Sequence, residues 1–224
     1  MIAILGAGES GIGAAILAKK KGYEVFVSDA GIISQKYKNE LIELGVDWEQ
    51  GNHNELKILD AKMLVCSPGI PDIRLLSRAR ESGVEVISEI EFASRHTQGK
   101  MIAITGTNGK TTTASLVHHI LKRANFDVGL AGNIGDSFAR CLAKCDRSYW
   151  VIEVSSFQLE NIHHFKPFVS ILLNVSPDHL DRYKGEIDAY LAAKIRISEN
   201  QTKSDFFIYW QGDLLISKHL KEIR

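Results

Sequence analysis

Short apolar runs alternate with small-residue or amphipathic segments along almost the whole chain. IAIL (2–5) runs into a small-residue helix predicted over residues 11–21, and YEVFVSD (23–29) into a polar amphipathic stretch. MLVCSP (63–68) is followed by a helix to about residue 82, and VEVIS (84–88) by EIEFASRH. Strands separated by single helices predict parallel sheets with helical crossovers. The polar TQGK (97–100) interrupts this pattern, which restarts with MIAIT (101–105). A domain boundary is therefore expected after Thr97, giving units 1–97 and 98–224. The second unit continues with a helix over about 110–124, VGLAGN (128–133) and a helix over 136–144. The strands YWVIEVS (149–155) and FVSILLNVS (168–176) and a helix over about 187–200 follow. FFIYW (206–210) and a helix to Arg224 complete the prediction: an α/β chain of two domains, each a mainly parallel sheet with flanking helices.

Composition narrows the class. With 45% hydrophobic and 24% charged residues the chain reads as globular and soluble. Lys+Arg and Asp+Glu both number 27, so the zero net charge offers no electrostatic footprint for nucleic acid or an anionic membrane. No apolar run approaches the length of a membrane span. The first apolar run enters a glycine loop directly, without a basic leader or cleavage site. Cys66, Cys141 and Cys145 form no CxxC and no even set, which fits buried thiols in a reducing cytoplasm. The expectation is a cytoplasmic enzyme with no nucleic-acid or membrane partner.

Two glycine loops carry candidate chemistry. Gly6, Gly8 and Gly11 have the G-x-G-x-x-G spacing after a strand and before a helix, and Asp29 ends the next strand. Such a loop turns tightly, lets backbone approach a diphosphate and aims a helix N-terminus at it, while the acid can accept ribose or base hydrogen bonds. The pattern leaves open NAD(P), FAD and nucleotide-sugars, and also a tight βα turn that binds nothing. The second loop, Gly106-Thr107-Asn108-Gly109-Lys110-Thr111-Thr112, ends in the GK[ST] of a phosphate-binding loop. Backbone N–H groups would wrap the phosphates of ATP, Lys110 would reach the terminal ones, and the Thr111 hydroxyl would meet Mg²⁺. It departs from the full G-x-x-x-x-G-K-[ST] pattern, because Ile104 stands where the first glycine is expected.

Three further segments place polar groups where strands of the second unit end. Glu153 closes an apolar strand just before Ser155 and Gln158, at the sheet edge where ligands bind, and its carboxylate suits a hard Mg²⁺ ion. Asp178, His179, Asp181 and Arg182 crowd one turn, which reads equally as a solvated Pro-Asp turn. Lys194 sits on a helix where a surface lysine is ordinary.

Together these stretches resemble the Mur ligase family. The match is carried in order by GTNGKTTT (106–113), GNIG (132–135), IEVSSFQLE (152–160), LNVSPDHLDRY (173–183) and YLAAKIRISEN (190–200). SPGI (67–70) and the first glycine loop agree, and EVSSFQLE points to the D-glutamate-adding branch. The resemblance implies ATP-dependent amide-bond formation. ATP converts the alanyl carboxylate of UDP-N-acetylmuramoyl-L-alanine to an acyl phosphate, and the amine of D-glutamate attacks it, in peptidoglycan precursor synthesis.

By the same resemblance, Gly6, Gly8, Ser10 and Gly11 take the UDP diphosphate, with Asp29, Ser67, Pro68 and Gly69 near the uracil. Lys110 binds ATP phosphates, and Thr111 and Glu153 hold one Mg²⁺. His179 and a CO2-carbamylated Lys194 serve a second metal position, making Lys110, Glu153, His179 and Lys194 the catalytic set. Asn133, Ser155 and Gln158 contact the muramoyl substrate, whereas His118, His119, His163 and His164 receive no role. Family chains are roughly twice as long, so the D-glutamate-holding C-terminal domain is expected to be absent and this chain alone inactive. FIYWQGDLL also departs from the Asn-Ala-Asp-Asp run expected after that strand. Alternatives are a Mur-type or folylpolyglutamate-type ligase with another acceptor, and a non-catalytic nucleotide-binding module.

Overall fold

The chain is described by a computed structural model covering residues 1–71 and 73–222. Two five-stranded sheets organise it. The first has the order β3-β2-β1-β4-β5, from β1 (Ile2–Leu5), β2 (Val25–Asp29), β3 (Asp47–Gln50), β4 (Met63–Cys66) and β5 (Glu85–Ser88). The second has the order β10-β9-β6-β8-β7, from β6 (Lys100–Thr105), β7 (Val128–Gly132), β8 (Tyr149–Glu153), β9 (Val169–Leu172) and β10 (Phe206–Tyr209). Every neighbouring pair is parallel. Parallel strands need crossovers, and single helices supply most of them. Each glycine loop leaves the middle strand of its sheet, β1 or β6, at the carboxyl edge where the strand order reverses and ligands settle.

The helices are α1 (Glu9–Lys20), α2 (Gln35–Glu43), α3 (Glu55–Leu59), α4 (Arg74–Glu81), α5 (Glu89–Ser94), α6 (Lys110–Arg123), α7 (Phe138–Lys144), α8 (Ser156–Leu159), α9 (Ile187–Ile195) and α10 (Leu214–Glu222). A 3-10 turn, Arg196–Ser198, extends α9. The sequence pattern located most of these elements, but it missed β3, α3 and α8. DWEQ has no apolar run because β3 is an edge strand with no fully buried residue. The last residues of the helix expected to reach Arg224 lie outside the described ones.

Contacts divide the chain into two compact units. The first comprises Met1–Thr97, Asp136–Asp146 and Asn161–His163; the second comprises Gln98–Gly135, Arg147–Glu160 and His164–Arg224. Helix α7 thus packs with the first unit. The small face of α1 explains the fit: a Cβ on Gly13 would stand 2.0 Å from Ser137 Oγ. Arg140 of α7 donates to Glu9 Oε1 (2.7 Å) and to Glu40 Oε2 (2.6 Å), and Lys20 Nζ donates to the Ala143 carbonyl (2.6 Å). The core of this unit is aliphatic, with Leu5, Ile12, Leu17, Leu64 and Ile87 fully buried. Truncating one such residue to alanine costs about 2–5 kcal/mol.

Glu89, at the start of α5, is buried in this core, and its Oε1 accepts the Ala139 N–H of α7. Its Oε2 has no partner among the described residues. Burial pushes the carboxyl up to about 7, with the Ala139 N–H opposing and Glu9 adding. The folded chain therefore holds a proton that the unfolded chain, near the ordinary 4.5, releases, so this stabilising contribution is lost as pH rises from 4.5 through about 7. Glu89→Gln keeps the acceptor and removes the charge. Urea unfolding is expected to give equal midpoints for parent and variant below the ordinary carboxylate range. Above neutrality the variant should be the more stable, with a gap growing by at most about 1.4 kcal/mol per pH unit across the window. A pH-independent difference would contradict the buried titration.

Candidate functional site

In the first unit the three glycines of the opening loop have three separate reasons. Gly6 has φ +92°, and a Cβ there would lie 2.8 Å from Ser67 Oγ. A Cβ on Gly11 would lie 1.8 Å from the Gly6 carbonyl oxygen, so only glycine lets α1 start this close to the loop. Around Gly8 a Cβ would meet no protein atom within 4 Å, leaving its backbone open to an incoming group. No side chain caps the N-terminus of α1, whose first turn carries Glu9, Ser10 and Gly11. Asp29 brackets the loop, accepting from Ala7 N (2.6 Å) and Gly31 N (2.7 Å). Ser67 donates to the Gly6 carbonyl (3.3 Å), and its own carbonyl accepts from Ile70 N (3.1 Å), which folds the Ser67-Pro68-Gly69 turn beside the loop. The sequence-predicted residues of this loop are thus brought together at one strand edge.

In the second unit Gly109 caps α6 at φ +81°, a left-handed conformation that suits glycine, again without a side-chain cap. The first-turn N–H groups of Lys110, Thr111 and Thr112 follow it. Asn174, leaving β9, clamps the loop: its carbonyl takes Thr107 N (3.0 Å), its Oδ1 takes Asn108 N (2.9 Å), and its Nδ2 donates to the Asn108 carbonyl (3.0 Å). Thr107 Oγ1 accepts from Ser176 N (3.1 Å). The sequence reading gave Asn174 no role of its own; a polar residue directly after an apolar strand was its only signal.

Glu153 is 2% exposed and fully engaged. Thr111 Oγ1 donates to its Oε2 (2.7 Å), and Asn133 Nδ2 donates to its Oε1 (3.0 Å). Lys110 Nζ folds back onto the carbonyls of Gly106 and Thr107 (2.9 Å each). Lys194, on a helix where a surface lysine would be ordinary, is 1% exposed and donates to the same Gly106 oxygen at 3.0 Å. Burial first, then Lys110, pushes its amine down to about 7, with Asp178 opposing. Tyr190, one turn earlier on α9, lays its ring 4.3 Å from Lys194 Nζ and its hydroxyl 3.5 Å from Thr107 Oγ1.

The remaining predicted residues are placed differently. His179 is exposed at φ +51°, 3.6 Å from Asp178 and beside the Phe157 ring (5.3 Å). Among the described residues no hydrogen bond or ion pair joins His179 to Glu153 or Lys194, and no three His, Cys, Asp or Glu side chains gather as a metal cluster. Ser155 and Gln158 meet each other, as a capping box that starts α8. Gln158 is 2% exposed. Among the described residues no helix is long and apolar enough to cross a membrane.

Comparison with known proteins follows the same division. The family pattern described as Mur ligase middle domain matches residues 104–224, and that described as Mur ligase MurD-like, N-terminal domain, matches residues 1–88. The chain is 54% identical over 220 residues to UDP-N-acetylmuramoylalanine--D-glutamate ligase of Bacteroides fragilis, covering 98% of this chain and 50% of the relative. It is 50% identical over 222 residues to the protein of that name in Christiangramia forsetii, covering 99% and 50%. The chain thus spans about half the length of the curated relatives it matches. Among solved structures, UDP-N-acetylmuramate:L-alanyl-gamma-D-glutamyl-meso-diaminopimelate ligase from Neisseria meningitides shares the fold with a TM-score of 0.64 at 19% identity, over 99% of this chain and 74% of that one. The chain belongs to the Mur ligase family.

Proposed function

We propose that the chain carries the nucleotide-handling half of a cytoplasmic ATP-dependent ligase that adds D-glutamate to UDP-N-acetylmuramoyl-L-alanine for peptidoglycan precursors. The observation that carries this reading is the Thr111–Glu153 hydrogen bond beside the uncapped start of α6, a donor set suited to a magnesium nucleotide. The identity of substrate and acceptor rests on the names of relatives about 50% identical along the whole chain.

The donor set fits Mg²⁺. Thr111 Oγ1 and Glu153 Oε2, 2.7 Å apart, are a hydroxyl and a carboxylate oxygen, the hard oxygen donors that Mg²⁺ takes. Those two residues would hold the ion, which when bound neutralises phosphate charge as the phosphoryl group leaves ATP. The α6 amides receive the phosphates, and Lys110 moves from the loop carbonyls onto their oxygens. Asn133 fixes the Glu153 carboxylate from its other oxygen. A lysine with a substantial neutral fraction near pH 7 is a nucleophile, so Lys194 can attack CO2, forming an N–C bond and releasing a proton to leave a carbamate. That carbamate would place a second carboxylate-like group at the loop, with His179 as its partner. In the first unit the α1 amides and open Gly8 backbone take the sugar nucleotide's diphosphate, with Asp29 and the Ser67-Pro68-Gly69 turn near its uracil.

Two sets of variants test the assignment. Gly8→Ala should fold like the parent, because the added methyl meets nothing, yet lose at least about tenfold in calorimetric affinity for UDP-N-acetylmuramoyl-L-alanine. Gly11→Ala should destabilise the first unit by about 1–3 kcal/mol through its clash with the Gly6 carbonyl. Equal ligand affinity in parent and Gly8→Ala would remove the diphosphate from this loop. For the second unit, MgATP should bind the parent, and Lys110→Ala should weaken it at least about tenfold by loss of charge-assisted bonds. In ¹³C-bicarbonate with Mg²⁺, a carbamate resonance should appear and vanish in Lys194→Arg; the same resonance in both would place the carbamate elsewhere.

A further inference from the structure

The turn after β10 departs from the run expected there, yet it ends in an acid, Asp213, to which neither loop has so far given a role. Strand order places that acid. β9 runs between β10 and β6, so the residues leaving β9 lie between the turn after β10 and the phosphate loop after β6. Asp213 reaches them, because its Oδ2 accepts the Val175 N–H at 2.9 Å. Its Oδ1 accepts the N–H groups of Leu215 (3.0 Å) and Ile216 (3.2 Å), the second and third residues of α10, as a capping acid does.

Val175 is the middle of three residues that matter to the phosphate loop. Before it, Asn174 clamps the backbone of Thr107 and Asn108. After it, Ser176 N donates to Thr107 Oγ1 at 3.1 Å. Those contacts can shape the loop only if the segment that makes them is itself fixed. The β9–β10 register ends at Leu172 and Tyr209, so Val175 lies past the ladder and has no strand partner there. Two things hold it instead. Val175 and Ile216 are buried in one apolar cluster with Leu172 and Tyr190, which seats the first turn of α10 against the segment. The Asp213 carboxylate then supplies the polar tie to a backbone N–H that burial would otherwise leave costly.

We propose that Asp213 is a positioning residue for the phosphate loop. One of its oxygens starts α10 and the other pins Val175, which keeps Asn174 and Ser176 aimed at Thr107 and Asn108. The loop is then shaped before a phosphate arrives, so no binding energy goes to ordering it. The consequence for nucleotide affinity rests on the second loop being a MgATP site; the consequence for the loop's own order does not.

Amide hydrogen exchange and MgATP calorimetry on the chain as it stands test the assignment. Asp213→Asn and Asp213→Ser each keep an oxygen that can cap α10 but lose the second acceptor, and the asparagine NH2 would face the Val175 N–H. In both variants the Leu215 and Ile216 amides should exchange as in the parent, which shows the cap intact. The Val175, Thr107 and Asn108 amides should exchange about tenfold faster, the scale of one net hydrogen bond, and MgATP should bind about tenfold more weakly. A measurement on the parent needs no variant: its Val175 amide should be protected although it lies outside the ladder, and free exchange there would overturn the proposal. Parent-like exchange at Thr107 and Asn108 in both variants would leave Asp213 as a helix cap and overturn it too. So would faster exchange with unchanged MgATP affinity. If the parent itself binds no MgATP, the ATP site falls, and exchange at Thr107 and Asn108 alone decides whether Asp213 positions the loop.

Discussion

A helix that begins in a glycine loop leaves N–H groups pointing at nothing, and this constraint organises both sheets. Among the described residues five helices have their start satisfied by a side chain: Ser34 for α2, Asn54 for α3, Ser88 for α5, Ser137 for α7 and Ser155 for α8. The helices leaving the two central strands do not. Gly8 and Gly109 stand where a capping side chain would, and neither offers one. α4 and α9 also lack a side-chain cap, but their N-caps are Ile73 and Glu186, not glycines, and they leave no central strand. An unsatisfied helix start at the carboxyl edge of a parallel sheet is costly for folding alone and favourable for an anion. Among the described residues two of them stand at a central strand.

The second constraint is charge. Two lysine amines converge on one carbonyl oxygen, that of Gly106, and among the described residues no carboxylate is hydrogen-bonded to either. Two full ammonium ions at that spacing repel, and burial penalises Lys194 further, so its proton is held weakly. The arrangement is poor as a structural ion site and good as a receiver of negative charge, whether from a phosphate on Lys110 or a carbamate on Lys194. Glu153 is the counterpart, an acid kept buried by Thr111 and Asn133 instead of by a cation.

Much of this was legible in the sequence because buried parallel strands read as apolar runs and glycine loops have fixed spacing. The strands β1, β4, β6 and β8 fall within or beside the runs that predict them. β3 escaped because an edge strand spells no apolar run, and α8 because a four-residue helix has no period to detect. The placement of α7 with the first unit was invisible too, since the contact residues Gly13 and Arg140 are far apart in the chain and ordinary in type. At the site, the motif residues were legible and their states were not. Lys194 on a helix looks like any surface lysine until α9 is packed against the loop. Ser155 and Gln158 carry the spacing of a capping box, which accounts for them without a ligand.

Two loops that serve two ligands must be filled at the same time, and native mass spectrometry of the chain with Mg²⁺, ATP and UDP-N-acetylmuramoyl-L-alanine measures this directly. If each loop serves its own ligand, a species carrying one of each appears. Gly8→Ala then removes only the sugar nucleotide from it, and Lys110→Ala only the ATP. Mutually exclusive binding, or loss of both ligands from either substitution, would contradict the account.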